Sequence, residues 1–410
     1  MDRMVSTAYL KTGMYVSRLD RPWVETPFLL QGFLIKDDDD IYMLVTHCNY
    51  VYIDTALGVK AEFYLDTVSS FPSRERLAKN TQIETILNTG KKNVVYEDKA
   101  TTLDELPAAE SAFDEASSCV ARIVEHDLRT GKLDIVNVKA AVSPILDSMI
   151  RNSDAFMWLS KMRHHDAGSY EHSVQNCALG IAYGRHIGLN RTALKTLATG
   201  LLLMDIGKIQ LPKEILTKNE PHTLEETEIM RKHVAYTVEL LRKTKGISDH
   251  VINIALTHHE RYDGSGYPNG LVGIQTPAYG RMAAIIDYYD TMITNTPYSE
   301  AVSEHKALQN IYNLRNKSFQ KELVEQFMQC MGVYPTGSLV ELSSGEVGAI
   351  LAQNTQQKLN PKVVLLLDIN KQPYKKRKIL DLMRQKKTQL HISKSLENNA
   401  YGVNLQQIGL

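Results

Sequence analysis

Residues 257–268, Thr-His-His-Glu-Arg-Tyr-Asp-Gly-Ser-Gly-Tyr-Pro, constrain this chain more than any other stretch. An apolar run (Val251, Ile252, Ile254, Ala255, Leu256) leads into His258-His259-Glu260, and a glycine-rich loop closed by Tyr267-Pro268 follows. Consecutive side chains on a helix point about 100° apart, so adjacent histidines share one cation poorly from a regular helix. At a fraying helix end, with further ligands supplied from elsewhere, both can turn into one pocket. Taken alone, the pair fits two surface histidines before a turn better than a metal site. Ligand-type residues elsewhere in the chain reverse that balance.

Composition narrows the rest. At 410 residues the chain is long enough for two or three domains with ample core. Lysine plus arginine equals aspartate plus glutamate, 47 each, so no global charge draws it to nucleic acid or membrane. Cys48, Cys119, Cys177 and Cys330 are widely separated and have no zinc spacing, as expected of a reducing compartment. The N-terminus has no apolar leader, and no run approaches the ~18 residues of a membrane span. A cytoplasmic protein is expected, with neither a nucleic-acid partner nor a membrane span.

Residues 1–70 read as a small β-rich unit, with short strands around Met14-Tyr15-Val16, Phe33-Leu34-Ile35 and Tyr50-Val51-Tyr52-Ile53. Asp37 to Asp40 reads as a turn between strands. Residues 71–110 are polar and poorly periodic, as in a linker. From 111 onward apolar residues recur at helical spacing, for example Val138, Val142, Ile145 and Met149. Lys375-Lys376-Arg377-Lys378, in the C-terminal tail, reads as a solvated helix start. His164, His165 and Asp166 read as ordinary solvated residues of a polar loop.

Several helical segments carry ligand-type residues. His172 stands near the start of a helix beginning at about Tyr170. The apolar segment from Arg191 ends in Asp205-Ile206-Gly207-Lys208, and a buried carboxylate there must be compensated by a metal or by Lys208. Thr223-Leu224-Glu225-Glu226 is a capping box that starts a helix carrying His233. Asp287 and Asp290 lie three apart, on one helical face.

The series His172, Asp205, Lys208, His233, His258-His259, the Gly-Ser-Gly-Tyr-Pro loop and Asp287 resembles the HD-GYP family, the cyclic di-nucleotide phosphodiesterase branch of the HD superfamily. The likeness covers about 150–335. Residues 13–35 resemble the N-terminal domain often fused to bacterial HD-GYP proteins, and residues 333–342 resemble a small β-appendage found in many members. The resemblance implies a mainly α HD-superfamily domain (111–335, core 151–335) with an N-terminal β-rich domain (1–70), a linker (71–110), a short C-terminal β-appendage (336–372) and a tail (373–410). It implies hydrolysis of cyclic di-GMP, or a related cyclic di-nucleotide, to linear product with one or two iron or manganese ions. His172, Asp205 and Asp287 would hold one metal, and Asp205 would bridge to a second held by His233, His258 and His259. Asp205 and Lys208 would be catalytic, Lys208 facing the scissile phosphate. Lys208, Gly266, Tyr267 and Asp290 would contact substrate. The Gly-Tyr-Pro loop could also receive a protein partner, and self-association to a homodimer is in keeping with the family.

The sequence also departs from that pattern. The family's His-Asp pair reads Met204-Asp205 here, and a soft thioether replaces imidazole poorly at a borderline metal. Thr296 stands where active members carry a phosphate-gripping arginine, and Ala167 and Gly168 stand where some members place an acid. Two readings follow: a phosphodiesterase of weakened activity, or a degenerate member that binds the nucleotide or a protein without turnover.

Overall fold

The computed structural model describes residues 2–7, 10–21, 23, 26, 28, 32–48, 50–54, 56–58, 81–123, 133–163, 169–295, 300–354, 357–385 and 390–405. Within them the chain is mainly α-helical, with a small antiparallel sheet near each end. At the N-terminal end β1 (Asp2–Ser6), β2 (Tyr15–Leu19), β3 (Phe33–Leu34) and β4 (Tyr50–Asp54) pair in the order β1-β4-β2-β3. Helix α1 (Asp38–His47) buries Leu44 with Val16, Leu19, Val51 and Ile53 of that sheet. The acidic run expected as a turn opens this helix instead. Asp37 caps it, accepting the Asp40 amide at 3.0 Å. Carboxylates are favourable there because they face unpaired amides and the positive end of the helix dipole.

The helical body starts earlier than residue 111. Within the stretch expected as a linker, α2 (Thr81–Thr89) buries Ile83 and Ile86 in the helical core, and α3 (Thr102–Arg122) begins. Two buried isoleucines in nine residues give too little periodicity to be read from sequence. There follow α4 (Ile135–Arg151), α5 (Ser153–Arg163), α6 (Ser169–Ile187) and α7 (Arg191–Leu203). Next come α8 (Lys213–Leu216), α9 (Leu224–Lys243), α10 (Asp249–Thr257), α11 (Ala278–Ile293), α12 (Glu304–Asn313) and α13 (Lys321–Met331).

Helix α7 packs against α4, α6 and α10. It starts where Asn190 caps the Ala193 amide at 2.9 Å, and its face of Leu194, Leu197, Leu201 and Leu202 is wholly buried. Two glycines set how closely the neighbouring backbones approach. A Cβ on Gly200 would lie 2.3 Å from Ile254 of α10, and one on Gly207 would lie 2.3 Å from the His233 carbonyl oxygen of α9. Only the absence of a side chain lets the end of α7 sit against both helices. Helix α9 has the capping box read from the sequence, with Thr223 and Glu226 satisfying each other's amides at 3.3 and 2.8 Å.

The C-terminal sheet contains β5 (Leu339–Leu342), β6 (Val347–Ala352), β7 (Lys362–Leu367), β8 (Pro373–Asp381) and β9 (Ile392–Ser395), ordered β8-β7-β6-β5-β9. The appendage thus runs past residue 372 and includes much of the expected tail. The basic run at 375–378 lies in the edge strand β8 and is no helix start. Charge on an edge strand discourages pairing with another chain. The sheet rests on α5, whose Trp158 and Met162 are buried with Leu339, Val347 and Leu351.

Asp154 of α5 ties that contact, accepting the Thr336 hydroxyl at 2.8 Å and the Gln353 amide at 2.9 Å. Burial pushes its pKa up to about 6, against those two hydrogen bonds. The folded protein therefore keeps a proton on Asp154 between its ordinary 3.8 and about 6, where the unfolded chain has released it. Stability drawn from this residue falls as pH rises through that window and is constant above it. Urea titrations of wild type and Asp154→Asn across the window should show a stability difference that falls with rising pH. A difference independent of pH overturns the assignment.

Candidate metal centre

The end of α7 delivers Asp205 to a short 3₁₀ turn (Ile206–Gln210) that packs on α9. His233 reaches the same point from the middle of α9, while His258 and His259 follow the last turn of α10. One ligand atom from each of Asp205, His233, His258 and His259 lies within 4.8 Å of the others. His233 Nε2 is 3.2 Å and His258 Nε2 3.7 Å from Asp205 Oδ1. The consecutive histidines share a pocket because the helix has ended: His258 is its C-cap residue.

The orientation of two rings is fixed from behind. His233 Nδ1 lies 2.7 Å from the Met230 carbonyl oxygen, and His258 Nδ1 lies 2.8 Å from that of Ala255. A carbonyl oxygen only accepts, so each Nδ1 carries a proton, and the neutral form of each ring turns a bare Nε2 lone pair toward Asp205. Asp205 Oδ1, His233 Nε2 and His258 Nε2 are all buried without a hydrogen-bond donor. Three electron-rich atoms facing one another in a buried space repel, and leaving each unsatisfied costs free energy. A cation among them removes both penalties, and the backbone bonds at Nδ1 are the kind of support that orients metal-binding imidazoles. The donor set fits a divalent metal.

Electrostatics agree with that fit. Burial acts to raise the Asp205 carboxyl, but the Lys208 ammonium beside it holds it well below the usual range. Burial lowers His233. His259 is lowered well below its ordinary value by burial and by the two neighbouring imidazoles. Asp205 therefore stands as a carboxylate and His233 and His259 as neutral imidazoles, the forms a metal needs. Asp287 is raised by burial and by the nearby charge of Asp205.

The remaining expected residues form a second circle. Lys208 Nζ contacts Asp205 Oδ2 at 3.0 Å, and Asp287 Oδ2 lies 3.6 Å from His259 Nδ1. His172 is outside the group of four: its Nδ1 meets Asp290 Oδ2 at 2.6 Å, and that carboxylate raises it against the effect of burial. Asp290, expected on the substrate, is buried in this contact and supports His172 instead. Tyr267 stacks on His259 with centroids 4.6 Å apart, and the Arg231 guanidinium lies over the Tyr267 ring at 4.9 Å. Gly266 abuts the backbone of His259, Glu260 and Arg261. Met204 is wholly buried in the apolar helical core. The expectations for His164, His165, Asp166, Ala167, Gly168 and Thr296 lie outside the described residues.

Sequence reasoning missed the part played by Glu260. Its carboxylate is buried and accepts the amides of Asn269 at 2.7 Å and Leu271 at 2.9 Å. It thereby closes the glycine-rich loop back onto the histidines. An acid directly before a loop rich in glycine, whose amides need partners, was the available signal. Glu260→Ala should destabilise the protein by roughly 2–3 kcal/mol and speed hydrogen exchange at the 269 and 271 amides. Unchanged exchange at both amides sinks this role.

Comparison with known proteins agrees with the geometry. The HD domain model matches residues 158–323, a domain of unknown function (DUF3391) matches 3–137, and a KOW domain associated with the HD domain matches 339–404. The chain is 27% identical over 391 residues to a cyclic di-GMP phosphodiesterase of Pseudomonas aeruginosa, covering 95% of this chain and 91% of that protein. It is 34% identical over 167 residues to a cyclic di-GMP phosphodiesterase of Thermotoga maritima, covering 40% of this chain and 45% of that protein. It is 33% identical over 169 residues to the 3'3'-cGAMP-specific phosphodiesterase 2 of Vibrio cholerae, covering 41% of this chain and 32% of that protein. The chain thus carries an HD domain, with its His-His-Glu block gathered at Asp205 and its Gly-Tyr-Pro block stacked against His259, and is similar along nearly its whole length to a cyclic di-GMP phosphodiesterase.

Proposed function

We propose that this chain is a metal-dependent cyclic di-nucleotide phosphodiesterase that opens cyclic di-GMP, or a related cyclic di-nucleotide, to its linear form with weakened activity. The carrying observation is the set of buried acceptors on Asp205, His233 and His258 that lack donors and face one another. The names of the relatives supply the substrate class. Imidazole and carboxylate donors suit iron or manganese.

Asp205, His233, His258 and His259 would hold the metal, with Asp287 beside His259 as the next available carboxylate. A divalent ion held there would supply Lewis acidity, activating a water near neutral pH and neutralising charge on the phosphoryl oxygens. The protein's own residues do the remainder. Lys208, partly exposed and anchored to Asp205, offers its ammonium to the charge that develops on the scissile phosphate. Tyr267 holds the His259 ring by stacking, and Glu260 keeps the loop carrying Tyr267 closed. Asp290 orients His172 toward the same region.

A second reading rests on Met204. Its side chain is packed in the core at the position of the family's histidine, so one imidazole is missing from the first metal's expected set. In that reading the site retains one metal and serves as a nucleotide-binding or protein-binding module, the loop at 264–268 being the contact surface. A homodimer is compatible with either.

Measurements of metal content and of linear di-nucleotide release with manganese or iron separate the two. Wild type should hold about one metal per chain and release product slowly, and His233→Ala should lose the metal and at least about a hundredfold of the rate. Met204→His should raise turnover by restoring a ligand. Metal and nucleotide binding with no product from either wild type or Met204→His establishes the binding module. Absence of metal in freshly purified and in metal-incubated protein overturns both readings.

A further inference from the structure

A cavity of about 310 Å³ opens between the start of α4, residues 191–199 of α7, and the segment that leads into α10 together with its first turn. Its lining includes Arg191, Lys195 and Thr199 of α7 together with Ser248 and Val251. Asp205 and His258 follow the opposite ends of the same two helices. Thr199 and Val251, the lining residues nearest the metal cluster, lie six and seven residues before Asp205 and His258, roughly 10 Å along each helix, and Arg191 lies roughly 20 Å away. The cavity is therefore distinct from the metal cluster, although both sites share α7 and α10.

Its chemistry is that of an anion site. Lys139, Arg191 and Lys195 line it, and no carboxylate is among the lining residues. Lys139 donates to the Gly246 carbonyl at 3.1 Å, and Lys195 donates to the Ser143 hydroxyl at 2.8 Å. Both acceptors are neutral, so these bonds position the ammonium groups without cancelling their charge. An ammonium has three donors, which leaves each lysine two for a ligand. Arg191 pairs with Asp147 from outside the lining, an exposed contact of small worth. The hydroxyls of Thr192 and Ser248 add donors, and Ser248 makes no capping bond to α10. Ile135, Ile247 and Val251 give the cavity an apolar side. Cations beside an apolar wall, in a space of this size, suit a phosphate joined to a flat ring.

We propose that this cavity binds a phosphorylated small molecule of nucleoside monophosphate size, its phosphate on Lys139, Lys195 and Arg191 and its ring against Ile135, Ile247 and Val251. This site stands apart from the proposed hydrolysis. Occupancy is read through binding alone, so failure here leaves the metal-cluster reading untouched.

The test uses the full chain carrying His233→Ala, which removes the metal cluster as a competing phosphate site. Calorimetric titration with GMP and AMP, with inorganic phosphate and guanosine as separate arms, should give saturable binding of at least one nucleotide below about 1 mM. Neither phosphate nor guanosine should match it. Lys139→Ala with Lys195→Ala should weaken binding at least about tenfold, and added salt should weaken it too. Lys195→Gln removes the charge while keeping a donor for Ser143, and should weaken binding in the same direction if the double variant proves unstable by circular dichroism. Absence of saturable binding, undiminished binding in the charge variants, or inorganic phosphate binding as tightly as the nucleotides overturns the proposal.

Discussion

Lone pairs on His233 and His258 and an oxygen of Asp205 converge on one small buried space with no proton between them. The rest of the structure depends on making that convergence tolerable. The three residues come from three segments, so the backbones of α7, α9 and α10 must approach closely at one end. Gly200 and Gly207 permit that approach, since any side chain at either would collide with Ile254 or with the His233 carbonyl. Apolar packing of α7 with α6 and α4 supplies the force that holds the helices against each other. A small domain of this kind accepts a local electrostatic penalty because its surrounding core is large enough to sustain it.

Around that point the side chains divide into those that face inward and those that hold them. Backbone carbonyls of Met230 and Ala255 set the tautomers of the two histidines. Lys208 balances the charge of Asp205, Tyr267 stacks on His259, and Glu260 gathers the loop that carries Tyr267. Asp290 and Asp287, three apart on α11, serve different histidines, His172 and His259. One helical face thus reaches both sides of the pocket.

Much of this could be read in the residues. The helical periodicity, the capping box at Thr223 and the strands around Val16 and Val51 depend on local chemistry, and local chemistry is what a sequence displays. The gathering of Asp205, His233, His258 and His259 was legible because their types and order resemble a known pattern. Three features were not legible, each for a physical reason. Helix α2 owes its place to Ile83 and Ile86 packing on a distant core, so its short polar sequence looked like a linker. The acidic run at 37–40 has the same composition in a turn as at a helix start, and only the burial of Leu44 decides between them. Strand β8 is exposed along most of its length, so it lacks the alternation that marks a half-buried strand.

Trp158 and Met162 point away from the helical core and into the C-terminal sheet, and Lys161 lies against Gly337 at the joint. Helix α5 is thus covered on two faces: one belongs to the bundle and the other to the strands. A segment excised to the limits of the helical domain would carry an unmasked indole and thioether on its surface, a sticky scar where the sheet had been. The two units are therefore joined by one shared hydrophobic seam, and separating them exposes both of its faces.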